Sequence, residues 1–197
     1  MKTIEIPPKG PARGLAVVLH GRGASKEDLA PLGELLAADG WHAAVPDAPM
    51  PWGGEGGFAW YESDTRERDL PASRSLVAGL VRERQAALGI SRAGTVVLGF
   101  SQGGVLSLDV ALNEGVAERA ACLSGYLSMP EAPKALSAPL RIFLAHGTKD
   151  FLIRVAVARK TRRALEDLGV PVEYREYDAA HEILDEEVSD LRRWLLA

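Results

Sequence analysis

The sequence predicts an α/β fold, a mostly parallel central sheet with helices on both faces, and three observations carry that expectation. Short apolar runs, partly β-branched, alternate regularly with longer stretches of helical spacing. The helical stretches carry their own start and stop signals. No internal repeat or low-complexity segment competes with this order.

From the N-terminus, Leu15 to Leu19 reads as a strand buried on both faces, because its apolar run is continuous. Ser25 then caps a helix, with Asp28 completing a capping-box-like pair; Leu29, Leu32 and Leu36 form the buried stripe and Gly40 ends it. Ala43 to Val45 is the next strand. Met50 to Leu70, with PWGGEGGFAWYES inside it, breaks the alternation and is expected to be a loop. A helix follows, striped by Leu76, Leu80, Ala87 and Leu88 and stopped at Gly89. Thr95 to Phe100 is strand, Val105, Leu108 and Leu112 mark helix, and Ala120 to Ser124 is strand again. Gly125 to Pro139 holds three prolines and is the second expected loop. Leu140 to His146 is a further buried strand, and Val157, Thr161, Leu165 and Leu168 mark a helix ending at Gly169 with Pro171 beyond it. Val172 to Tyr177 alternates in type, as suits a strand near a sheet edge, and Val188, Leu191 and Leu195 mark the last helix. Strands and helices alternating at this length imply right-handed crossovers. Ligands of such sheets bind beyond the carboxyl ends of the strands, so the two loops are either candidate pocket walls and a partial lid or plain surface connections.

At 197 residues the chain is about 1.3 times a ~150-residue domain, so one domain over residues 1–197 is expected. Hydrophobic residues make up 47%, enough for a sizeable core. A net charge of -4 without a lysine-rich block argues against a nucleic-acid partner. The single cysteine cannot form an internal disulfide, and nothing resembles the clustered Cys and His ligands of a structural zinc site. That usage fits the cytoplasm. The N-terminus lacks the apolar stretch of a signal peptide and no run approaches the ~20 apolar residues of a membrane span, so no stable membrane anchor is expected.

The sharpest local signal is Gly99-Phe100-Ser101-Gln102-Gly103, which follows the strand TVVLGF and precedes a helix. The pattern alone is weak, and its placement is what makes it specific. A sharp turn here lifts the serine oxygen above the sheet, strains the backbone at Ser101 and tolerates only small neighbours. The unpaired N–H groups and dipole of the following helix favour a negative oxygen beside Ser101. The bland alternative is a capped strand-to-helix turn without chemistry.

A neutral serine needs a base to accept its proton. Of the four histidines, His20 closes the first strand, His42 enters a strand and His146 ends one, positions that suit packing. His181 lies between VEYREYDAA and the last helix, on a loop able to return its imidazole to the carboxyl edge of the sheet. A carboxylate at the end of a neighbouring strand would orient that ring. Asp150, directly after LRIFLAHGTK, is so placed; Asp178 is its rival, and Asp185 suits the helix dipole instead. The order serine, aspartate, histidine belongs to the α/β-hydrolase arrangement. An oxyanion would take the amide of Gln102 and a second amide from the loop LHGRGAS, where Gly21 and Gly23 let the backbone bend inward.

Together LHGRGAS, GFSQGG, HGTKD and a histidine before the last helix resemble the phospholipase/carboxylesterase family of α/β hydrolases, which includes bacterial carboxylesterases and acyl-protein thioesterases, over nearly the whole chain. The resemblance implies that Ser101, Asp150 and His181 are the triad and that the second oxyanion amide is that of Arg22. It also implies that PDAPMP, with Trp60-Tyr61 after it, forms the pocket loop. Arg22 stands where the thioesterases commonly have an apolar residue, and the chain lacks an evident long lipid-binding lid. Trp52, Phe58, Trp60 and Tyr61 either line an acyl or aromatic pocket or anchor their loop to the core. Arg22 and Arg154 are solvated charges or attract an anionic part of a substrate. Cys122, inside an apolar strand, is expected to be an inert core residue.

The expectation is therefore a cytoplasmic carboxylesterase acting on a small-molecule ester of short to medium acyl chain, with no metal or organic cofactor, since serine supplies the nucleophile and histidine moves the proton. A thioesterase or lysophospholipase with the same triad is the enzymatic alternative, and a non-catalytic small-ligand receptor on the same scaffold is the alternative from another class. An apolar patch left by a short lid would suit a homodimer.

Overall fold

The computed structural model describes residues 1–53, 56–128 and 138–197. Its sheet contains β1 (Thr3–Ile6), β2 (Gly14–Leu19), β3 (Trp41–Pro46), β6 (Thr95–Phe100), β7 (Arg119–Leu123), β8 (Arg141–Gly147) and β9 (Val172–Tyr177). Two shorter strands, β4 (Met50–Trp52) and β5 (Gly57–Ala59), pair with each other. The sheet order is β1-β3-β2-β6-β7-β8-β9, parallel throughout except for β1, which runs antiparallel to β3.

Among the described residues, five helices cover the sheet: α1 (Lys26–Ala38), α2 (Arg66–Leu88), α3 (Gln102–Glu114), α4 (Val155–Asp167) and α5 (Asp185–Leu196). The period-two alternation of β2 sorts them into layers. Leu15, Val17 and Leu19 join Val77 and Val81 of α2 and Leu106 and Val110 of α3 on one face. Ala16 and Val18 join Leu32 and Leu36 of α1 and Leu191 and Leu195 of α5 on the other. Further along, Ala120, Cys122, Ile142 and Leu144 pack under Leu108 of α3 and Leu165 of α4. With both faces covered, the central strands carry no solvent side, which is why they read as continuous apolar runs.

The expected α/β architecture is thus the one present, with four local differences. β1 has no strong strand signature and forms because its pairing with β3 closes that edge. The segment from Met50 to Leu70 is not one loop: it holds the β4–β5 hairpin, and α2 starts within it at Arg66. The buried face of α2 is Leu70, Ser73, Val77, Leu80 and Val81, whereas Leu76 and Leu88 are 45% and 36% exposed. Leu70 and Leu80 are buried there beside the smaller Ser73, Val77, Ala78 and Val81, so Leu80 of the expected stripe does face inward. On α4 the buried positions are Ala158, Thr161 and Leu165, with Val157 outside. Of the second expected loop, residues 129–137 lie outside the described residues. Among the described residues no helix is long and apolar enough to cross a membrane.

Candidate active site

β6 delivers Ser101 to the carboxyl edge of the sheet and α3 begins at the next residue. Ser101 has φ 54° and ψ -116°, a strained conformation for a residue with a side chain. The turn is tight enough that a Cβ on Gly103 would lie 2.2 Å from the Leu19 carbonyl oxygen, and one on Gly99 would lie 2.4 Å from the Gly103 carbonyl. Only glycine leaves room for β2, β6 and α3 to meet there. The Ser101 N–H donates to the Leu123 carbonyl at 2.8 Å, tying the turn to β7.

His181 reaches this serine from the loop between β9 and α5. Its Nε2 lies 2.9 Å from Ser101 Oγ and its Nδ1 lies 2.6 Å from Asp150 Oδ2. The Phe100 ring packs against the imidazole, centroid to centroid at 4.9 Å. The loop preceding His181 sits on the end of β8: a Cβ on Gly147 would be 2.2 Å from the Ala180 carbonyl oxygen, and the Lys149 N–H donates to the Ala179 carbonyl at 2.9 Å. Asp150 is buried, and its Oδ1 accepts the N–H groups of Leu152 and Ile153 at 2.9 and 2.8 Å. Burial alone would raise its pKa. The hydrogen bonds from His181 and from the two amides outweigh it and hold the carboxyl below its ordinary value. Asp178 instead pairs with Lys149 at 2.7 Å, away from the imidazole.

The loop after β2 adjoins the serine, since a Cβ on Gly21 would lie 3.4 Å from Ser101 Cβ. His20 orders this loop. Its Nδ1 donates to the Gly21 carbonyl at 2.7 Å and its Nε2 accepts the Ala48 N–H at 3.0 Å, so both nitrogens are engaged in the neutral ring, and burial lowers its pKa. The β4–β5 hairpin clamps the far side: Gly23 N–H donates to the Phe58 carbonyl at 2.8 Å and Phe58 N–H to the Ala24 carbonyl at 2.9 Å. Neither the Arg22 nor the Gln102 N–H donates to a backbone carbonyl among the described residues.

The four aromatic candidates divide. Trp60 is fully buried, its indole N–H donating to the His20 carbonyl at 2.8 Å and its backbone N–H to Gln102 Oε1 at 2.8 Å, so it serves as a strut under the site. Tyr61 is buried and its carbonyl accepts from Gln102 Nε2 at 2.6 Å. Phe58 is half-buried, and Trp52 is 40% exposed with its ring against Gly23. The Arg22 guanidinium lies over Trp52, 5.1 Å from the ring centroid, and pairs with Glu62 at 2.6 Å. Arg154 is exposed at the N-terminus of α4. His42 pairs with Glu5 at 2.9 Å. Cys122 is fully buried, and burial pushes its thiol up to about 12. No group of three His, Cys, Asp or Glu side chains able to hold a metal ion occurs among the described residues.

Three participants were not visible in the order of residues: the side chain of Gln102, which staples Trp60 and Tyr61; Glu62, which holds Arg22; and His146, whose Nε2 lies 3.3 Å from Asp150 Oδ2. The only hint was that two strands, VLHG and LAHG, both end in His-Gly.

The family model described as Phospholipase/Carboxylesterase matches residues 2–197. The carboxylesterase from Mesorhizobium loti is 24% identical, the match covering 94% of this chain and 90% of that one with a TM-score of 0.83. The Bacillus cereus carboxylesterase is 20% identical, with 99% and 93% covered and a TM-score of 0.86. Acyl-protein thioesterase 2 of Zea mays is 25% identical, with 99% and 97% covered and a TM-score of 0.80. At such identities the two carboxylesterases attest to the fold.

Proposed function

The chain belongs to the phospholipase/carboxylesterase family of hydrolases, and from that premise we propose that it is a serine esterase with Ser101, His181 and Asp150 as its triad. The observation that carries this reading is the unbroken line from Asp150 through His181 to Ser101, with contacts of 2.6 and 2.9 Å, ending on a serine held in a strained turn. Asp150 accepts a hydrogen bond from His181 Nδ1–H, which keeps the proton on Nδ1 and leaves the Nε2 lone pair facing the Ser101 hydroxyl. Ser101 Oγ attacks the ester carbonyl carbon as its proton passes to His181 Nε2. The N–H groups of Arg22 and Gln102 receive the oxyanion; losing one such donor would cost on the order of 3 kcal/mol of transition-state stabilisation. The imidazolium then protonates the leaving alkoxide, and water repeats both steps on the acyl-enzyme. His20 and the β4–β5 hairpin support this role for Arg22, because they hold the carbonyls around it in other hydrogen bonds.

The substrate we propose is a small-molecule ester of short to medium acyl chain. A thioester substrate is the second reading, favoured by the likeness to the maize thioesterase. Intact mass after fluorophosphonate treatment tests the triad: one adduct on the native chain, absent from Ser101→Ala, together with a loss of turnover of at least ~10³-fold, is the expected result. A folded native chain that takes no adduct would overturn it. Relative rates on matched oxyesters and thioesters across an acyl-length series then decide the substrate.

A further inference from the structure

Two buried residues at the ends of neighbouring strands near Asp150 each carry a polar atom without a hydrogen-bond partner. Ser124 is 0% exposed, its Oγ is unpartnered, and with φ 51° it is, besides Ser101, the other non-glycine residue at positive φ among those described. His146 is also 0% exposed. Its Nε2 lies 2.6 Å from the Ile153 carbonyl oxygen and 3.3 Å from Asp150 Oδ2, while its Nδ1 is unpartnered. The β7–β8 register sets Leu123 against Ala145, and the Ser124 N–H donates to the Ala145 carbonyl at 2.9 Å. One residue further, Ser124 falls beside His146. Two residues before His146 on β8, Leu144 packs on the face under α3 and α4, and the alternation returns His146 to that face; Ser124 follows the last residue of β7, where its backbone hydrogen bond sets it beside His146.

Chemistry fixes the proton positions. His146 Nε2 faces two acceptors, so it must carry the hydrogen, and in the neutral ring Nδ1 then offers a lone pair. A buried lone pair and a buried hydroxyl, each alone, are unfavourable, and one satisfies the other. We propose that the Ser124 hydroxyl donates to His146 Nδ1, across one buried water where a direct bond is too long, and so locks His146 as the Nε2–H tautomer that braces Asp150 and the Ile153 carbonyl. Both are positioning residues that act through Asp150, and the proposal rests on the reading of Asp150 as the triad acid. The Asp150 carboxylate is then held from both sides: Oδ1 by the Leu152 and Ile153 amides, Oδ2 by His181 and His146.

The test is a kinetic cycle on an ester substrate with His146→Gln, His146→Ala, Ser124→Ala and the double variant Ser124→Ala/His146→Ala. His146→Ala is expected to lower kcat about tenfold or more with KM within about twofold, and His146→Gln, whose amide can donate from near the Nε2 position, to recover most of that loss. Ser124→Ala is expected to lower kcat about threefold alone and to add nothing in the His146→Ala background. Additive losses, a Gln variant no better than Ala, or changes confined to KM would overturn the proposal. Should the variants fail to fold, nitrogen NMR of the native imidazole decides: an Nε2-protonated ring with Nδ1 hydrogen-bonded as acceptor supports it, and an Nδ1-protonated ring overturns it. Fluorophosphonate labelling of Ser101 in the native chain separates the two levels, since absence of the adduct defeats the triad itself, whereas labelling with unaltered kinetics in the variants defeats only this support.

Discussion

Glu187 carries its carboxyl in the first turn of α5, 2% exposed, with Oε1 unpartnered, and burial pushes it from 4.5 up to about 7. An acid whose folded pKa lies above its unfolded one binds more protons when folded, so stability is fully present below about pH 4.5 and declines as pH rises towards 7. The decline contributed by this one group is on the order of 3 kcal/mol. In Glu187→Gln that decline should vanish: urea midpoints at pH 5 and pH 8 should differ less in the variant than in the native chain, and an equal difference would contradict the assignment. At this scale the sequence was informative where function is local. Ser101 stands inside a recognisable turn, and Asp150 and His181 follow strand ends, so their positions along the chain already suggest a meeting. Ser124, His146 and Glu187 carry no such mark, because their significance depends on the register of β7 with β8 and on which side of α5 faces inward.

The β4–β5 hairpin and the loop after β2 behave as one unit. Trp60 joins them to the sheet, with its indole N–H on the His20 carbonyl at 2.8 Å and its own carbonyl accepting from Ser73. Trp60→Phe removes the indole bond while nearly filling the space. It should cost about 1–3 kcal/mol in a denaturation midpoint and lower kcat more than it raises KM, because the carbonyl it leaves unpaired belongs to the loop that presents Arg22. A KM effect without a kcat effect would instead place Trp60 in substrate contact. This unit was hidden in the sequence. PWGGEGG reads as loop, since three-residue strands are too short for an alternation to register, and what holds them together is pairing with Gly23 and Ala24, some thirty residues away. The stripe on α2 is right at Leu80 and wrong at Leu76, Ala87 and Leu88, because the helix docks through Leu70, Ser73, Val77, Ala78, Leu80 and Val81, a face turned away from those three.

Across the whole molecule, the first and last helices share one face of the sheet and are tied by Arg192, whose guanidinium meets Asp39 in a bidentate pair at 2.6 and 2.7 Å. Arg192 is about one-third exposed, so the pair is partly screened, and Arg192→Ala should cost about 1 kcal/mol, less in high salt, with kcat unchanged. A kcat loss there would mean that the docking of α5 feeds back on His181. The global architecture was the most legible level, because strands covered on both faces must be apolar throughout and the helices between them announce their ends. Edge strand β1 is not legible in the sequence, because its four residues are only partly buried. One further consequence follows from the stacking of Arg22 over Trp52 and its pairing with Glu62. These three positions lie on three separate segments yet hold one another in place, so they are expected to drift as a set over evolutionary time: a lineage that gives up the aromatic ring at 52 removes the support for arginine at 22 and, with it, the reason to keep an acid at 62.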